Sequence, residues 1–308
     1  MKKVISLVIA MLVVFPMAAS ASKMDVLMAD LLEDNVQSFS DVTSSHKNYV
    51  SIEWMSDEGT VEGYEDGTFK PDNAVNRAEL MKMVVLMSVD EVDLTDSYAN
   101  CFPDVTTDWY AKYVCYALEQ EWVGGYPDGT FKPGNNVNRV EAMKIILNAM
   151  IPSEEWPEPT DADLALEMPV DLDMSQWYAG YARFAIAKEL VDGWHVTQNE
   201  DGTLNFLPEG NMTRKEVAEM LFRVMVYMLE RMDYVANMVD SICYYVDNSS
   251  TFTEDEMQAG VVQIFEDSGY TEDEMDALTL KYENDNVVQG QIDVYVAEKC
   301  GDAAATDQ

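Results

Sequence analysis

Gly125-Tyr126-Pro127-Asp128-Gly129-Thr130-Phe131-Lys132-Pro133, followed by Asn138-Arg139-Val140-Glu141, is the stretch on which the fold turns. Its first half is turn chemistry, since Pro presets φ and Gly accepts a positive φ. Its second half starts a helix, with an Asn N-cap and a Glu at the third helical position. Upstream stand Phe102-Pro103-Asp104-Val105 and Trp109-Tyr110. From there Tyr110, Tyr113, Val114, Ala117 and Leu118 form one apolar helix stripe. The unit reads helix, loop, helix.

The same template occurs twice more. One copy has Phe39-Ser40-Asp41-Val42, Gly63-Tyr64-Glu65-Asp66-Gly67-Thr68-Phe69-Lys70-Pro71 and Asn76-Arg77-Ala78-Glu79. The other has Asp171, Trp177-Tyr178, Gly193, Asp201-Gly202-Thr203, Phe206, Pro208 and Thr213-Arg214-Lys215-Glu216. Trp109 to Gly125 and Trp177 to Gly193 are both 16 residues, and Lys47 takes the Trp place before Gly63. Gly63 to Arg77 and Gly125 to Arg139 are both 14, whereas Gly193 to Arg214 is 21, so the third copy carries a longer loop. Its first helix repeats the stripe through Tyr178, Tyr181, Ala182, Ala185 and Ile186, while the first copy puts polar Asn48, Ser51 and Ser56 at three such places.

These residues resemble the S-layer homology family, through the F-x-D-V start, the W-Y helix, the G-Y-P-D-G-T-F turn and the T-R-A-E-like helix start, over about residues 39 to 226. The resemblance implies a mainly all-α fold of three repeats, 39–88, 101–150 and 168–226, in a pseudo-threefold unit around a central three-helix bundle. It also implies grooves between neighbouring lobes that bind pyruvylated secondary wall polymer. Arg77, Arg139 and Arg214 each follow an N-cap, where open N–H groups and a bidentate guanidinium suit a carboxylate. Asp66-Gly67, Asp128-Gly129 and Asp201-Gly202 are carried over as sugar contacts, and Trp109 and Trp177 as ring faces. Other readings stay open: Asp-Gly pairs as plain turns, the Trp residues as core, the arginines paired with the protein's own acids. Glu65 and Lys47 depart from the pattern in the first copy. The second copy is therefore expected to form the best site, with Arg139 contributing most.

Composition sets the wider frame. The chain has 19 Lys+Arg against 57 Asp+Glu, a formal charge of −38. That balance argues against nucleic acid and against anionic lipid. Residues 1–21 read as a signal peptide: Lys2-Lys3, an apolar run from Val4 to Met17, and a small-residue Ala19-Ser20-Ala21 site. No later stretch is apolar enough to span a bilayer. For Cys101, Cys115, Cys243 and Cys300 the expected pairs are Cys101–Cys115 and Cys243–Cys300, each within one module, against the alternative of four buried thiols.

Residues 230–302 leave the template. Thr253-Glu254-Asp255-Glu256 and Thr271-Glu272-Asp273-Glu274 look like capped helix starts, which predicts a small helical C-terminal domain of three helices, the first continuing from Arg214. No catalytic constellation, metal-ligand set or cofactor motif stands out. Wall attachment by an exported, non-catalytic protein leads. A self-associating lattice protein and a carbohydrate-active enzyme using 230–302 are the alternatives.

Overall fold

The computed structural model describes residues 37–89, 94, 98–151, 155–191, 197–200, 202–248 and 251–300. The signal at 1–21, the turn around Gly193 and Asp201 lie outside the described residues. The fold is mainly helical, as expected. The first repeat supplies α1 (Tyr49–Asp57) and α2 (Arg77–Ser88). The second supplies α3 (Ala111–Glu119) and α4 (Arg139–Met150). A short α5 (Asp161–Ala165) precedes α6 (Ala179–Ala187), and the strand pair Thr197–Gln198 and Leu204–Asn205 then leads to α7 (Arg214–Asn248). That strand pair lies within the longer loop of the third copy.

The described residues divide into two compact units, with the boundary inside α7 at Met225. The first unit holds the three copies. In each, one aspartate latches the turn. Asp41 accepts the N–H groups of Phe69 and Lys70 at 2.7 and 2.8 Å, Asp104 those of Phe131 and Lys132 at 2.8 and 2.7 Å, and Asp171 those of Phe206 and Leu207, both at 2.7 Å. The latch is needed because Lys70, Lys132 and Leu207 sit at φ 56°, 57° and 58°, a left-handed conformation costly for a side chain with a Cβ. Gly63 and Gly125 have a different reason to be glycine: an added Cβ would stand 2.6 Å from the Phe39 or Phe102 ring.

The copies close on one another through backbone. Val75 N–H donates to Met212 O, Val137 N–H to Val75 O, and Met212 N–H to Val137 O, at 2.9, 3.1 and 3.0 Å. This is a closed cycle of three hydrogen bonds, one from each copy. Helix contacts follow the same order. α2 packs on α3 and α4 packs on α6, so each second helix covers the next copy's first helix. Trp54 of α1 meets Phe222 of α7 at 5.6 Å and closes the circle. Two of the polar places in the first stripe find partners: buried Asn48 donates to Glu219 of the third copy at 3.1 Å, and Ser51 donates to Asn48 O.

Both expected disulfides are present, with Cα atoms 5.5 Å apart for Cys101–Cys115 and 5.4 Å for Cys243–Cys300. Cys101–Cys115 closes a loop of sequence separation 14 around the Asp104 latch. Cys101→Ser with Cys115→Ser should cost about 3 kcal/mol on a loop-entropy basis. Urea unfolding reads it, and an unchanged midpoint would contradict the assignment of a stabilising role.

The second unit contains the rest of α7 with α8 (Glu254–Asp267), α9 (Glu272–Tyr282) and α10 (Asn286–Cys300). The two capped starts at Thr253 and Thr271 form full capping boxes with Glu256 and Glu274. There is one helix more than expected: α10 begins where buried Asp285 accepts the N–H groups of Val287 and Val288, both at 3.0 Å. Tyr234, Met275, Tyr282 and Val288 fill the core, and the Tyr270 hydroxyl donates to Asp233 at 2.9 Å. Burial, then the Asp233 carboxylate, pushes the Tyr270 pKa up.

Candidate functional site

The sequence predicts open helix starts at Arg77, Arg139 and Arg214. The structure corrects this. Arg77 and Ala78 N–H donate to the carbonyls of Asn135 and Pro133, Arg139 and Val140 to Gly210 and Pro208, and Arg214 and Lys215 to Asn73 and Pro71. The third N–H of α2 and of α4 is taken by its own Asn cap. A helix start becomes an anion site only while its N–H groups lack partners. Here a neighbouring copy's turn fills them. Thr213 makes only half of a capping box: its N–H donates to Glu216, but its hydroxyl is buried without a partner.

The guanidinium groups cross between copies in the same sense. Arg77 leaves the first copy and lies in the second, donating from Nε to Phe131 O at 2.9 Å and from Nη2 to Gly124 O at 3.3 Å. It stacks 4.5 Å from the Phe131 ring and 4.9 Å from Tyr126. Arg214 leaves the third copy and does the same in the first, through Phe69 O, Glu62 O, Phe69 and Tyr64. Burial pushes the Arg214 pKa down, against the attraction of Tyr64 and Glu79. Such planar donors suit paired carbonyls and aromatic faces together. In both, Nη1 has no protein hydrogen-bond partner among the described residues.

Arg139 differs. It enters the third copy, donates to Phe206 O at 3.1 Å, and pairs with Glu216 at 2.6 Å, with both side chains nearly buried. Its Nε has no partner among the described residues. Arg139 therefore does not lie in the second copy's lobe, where the sequence reading put it: the arginine of that lobe is Arg77, and Arg139 is paired with the protein's own acid.

Two clefts open beside the crossing arginines. The larger, about 690 Å³, brings together Arg77, Tyr126, Glu121, Glu141, Lys144 and, from the third copy, Trp177. The smaller, about 280 Å³, brings together Arg214, Tyr64, Glu79, Lys82 and, from the second copy, Trp109. Each therefore takes residues from all three copies. Trp109 and Trp177 are 57% and 53% exposed, so they are not core aromatics but ring faces open to the clefts. Lys144 and Lys82 were not singled out in the sequence. The signal was their shared place three residues after the capping glutamate, where the third copy has Glu219.

The Asp-Gly pairs lie elsewhere. Asp66 and Asp128 fold their own turns, accepting from Thr68 and Thr130 and pairing with Lys70 and Lys132. The Thr130 hydroxyl, then Lys132, lowers the Asp128 pKa to about 2. Gly67, Gly129 and Gly202 sit at φ 76°, 81° and 87°, the conformation such turns require. None of these lines either cleft.

Fold and clefts together define a helical repeat unit whose lobes complete one another's sites. The S-layer homology domain family matches residues 38–81 and 102–143, the first two of the three copies. It is similar to cell surface glycoprotein 1 of Acetivibrio thermocellus, 32% identical over 36% of this chain and 5% of the relative. The cellulosome-anchoring protein of the same organism is 28% identical over 53% of this chain and 34% of its own length. An amylopullulanase of Thermoanaerobacterium thermosulfurigenes is 27% identical over 60% of this chain but only 9% of the enzyme. The chain thus spans about a third or less of these relatives. Family and relatives place it outside the cell, at the wall.

Proposed function

We propose that the repeat unit, with residues 168–226 as its third S-layer homology domain, holds the chain to the wall by gripping an acidic polysaccharide, one bearing pyruvate ketals, in the clefts. The protein acts as a non-catalytic anchor. One observation carries this reading: in a chain of charge −38, Arg77, Lys144 and the exposed face of Trp177 converge on one cleft. Cations gathered beside an aromatic face suit a sugar ring that carries a carboxylate. The clefts are local, and screening over roughly 8 Å at physiological salt keeps the distant acidic surface from cancelling them.

Co-sedimentation with purified walls, before and after mild acid removal of pyruvyl groups, tests it. Binding should fall at least about tenfold on removal, as expected when a charge-assisted contact is lost. Equal binding to treated walls rejects the acidic-sugar part. No binding to untreated walls rejects attachment.

A further inference from the structure

The three copies are not equivalent in charge, and the inequality sits at one position. Three residues after the capping glutamates Glu79, Glu141 and Glu216 stand Lys82, Lys144 and Glu219. Lys82 is already occupied: its ammonium is 2.7 Å from the Glu62 carboxylate. In the second copy the place of Glu62 is taken by Gly124, which has no side chain. Lys144 is exposed, has no carboxylate partner among the described residues, and points its ammonium over the Trp177 ring at 5.4 Å. In the third copy the position is reversed. Glu219 is held by Asn48 and Arg223, and Glu216 occupies Arg139.

Resting on the reading of the clefts as acidic-sugar sites, we propose that the second copy's cleft is the dominant site, and that Lys144 selects it by offering the one lysine ammonium of the set that no carboxylate has claimed. A ligand carboxylate entering the first cleft must displace Glu62 from Lys82, and exposed pairs of this kind resist by a small factor only. Entry to the third lobe faces Glu219 in place of the lysine, a like charge that opposes the ligand. The carboxylates lining the second cleft are Glu121 and Glu141, and Glu141 is spent on the Asn138 N–H at 3.3 Å. Size points the same way. About 690 Å³ falls inside the usual range for small-ligand clefts of roughly 300–1,000 Å³, and about 280 Å³ falls just below it.

Calorimetric titration of the full chain with a methyl hexopyranoside bearing a 4,6-pyruvate ketal decides it, with the ketal methyl ester as the uncharged control. The expected result is one dominant site per chain and no binding of the ester. Lys144→Gln should weaken that site about tenfold. Lys82→Gln should change it less than about twofold, since Lys82 lines the other cleft and is paired with Glu62 there. Glu62→Gln should strengthen a second, weaker site. Equal weakening by Lys82→Gln and Lys144→Gln, or two or three equal sites, overturns the proposal while leaving attachment intact. Equal binding of acid and ester, together with unaltered sedimentation on depyruvylated walls, overturns the acidic-sugar reading itself. All three variants are at exposed or half-exposed positions, and unchanged circular dichroism identifies any loss as a binding effect.

Discussion

A chain ended after Ile151 should not fold its first two repeats, although both are complete in sequence. Without the third copy, Val75, Arg139 and Val140 lose the acceptors of their N–H groups, which are Met212, Gly210 and Pro208. Leaving a buried donor unpaired costs about 1–3 kcal/mol each. The first lobe also loses the Arg214 stack on Phe69 and the Phe222 face on Trp54. Val217, Met220, Leu221 and Val224, all fully buried, go with it, each having contributed about 1.5–3 kcal/mol by burial. The sum is as large as the 5–15 kcal/mol that holds a typical domain. Far-ultraviolet circular dichroism on heating is the measurement. A cooperative transition in the 37–151 fragment would show that the cycle of copies is dispensable.

Asp104→Ala should be the most damaging point change outside the helices. It removes two charge-assisted bonds at 2.8 and 2.7 Å and frees Lys132 from a left-handed backbone it does not favour. Bonds to a charged acceptor are worth about 1.5–3 kcal/mol each, so a loss of about 3–5 kcal/mol is expected. Asp104→Asn keeps one acceptor oxygen and should recover about half. Acid acts on the same latch. Burial raises the Asp104 pKa, but the N–H groups of Phe131 and Lys132 outweigh it, and the folded value lies below the ordinary 3.8. A depressed carboxylate contributes stability that is fully present above the unfolded value and is lost as pH falls through the folded one. Urea midpoints should therefore converge for wild type and Asp104→Ala well below pH 3.8. A wild-type advantage that persists there would mean the latch does not act through its charge.

The spacing of the motifs carried the helices, the turns and the disulfides, because those are set within one copy. The Asn76–Glu79 and Thr253–Glu256 signatures, for instance, appear as full capping boxes. What the sequence hid was every relation between copies. Nothing local to Arg77 says that its side chain belongs to the next lobe, or that Asn135 and Pro133 will fill the start of α2. The placement of Arg139 was hidden for the same reason: its partner Glu216 lies 77 residues away. Lys144 was missed because a lysine on a helix is ordinary until a tryptophan from another copy is laid beside it. Helix α10 was missed because its cap, Asp285, lacks the glutamate three residues on that marked the other starts.

The cyclic exchange of arginines has a bearing on how the molecule comes to exist. Ribosomes deliver a polypeptide amino end first. The earliest lobe waits longest, since the guanidinium that plugs it is bonded to a carbonyl 145 residues upstream. Neither of the first two lobes has all its partners on arrival, because the third copy supplies the remaining ones. Until the third copy is made, the first lobe's arginine contact and the second copy's helix start have no partner in the chain.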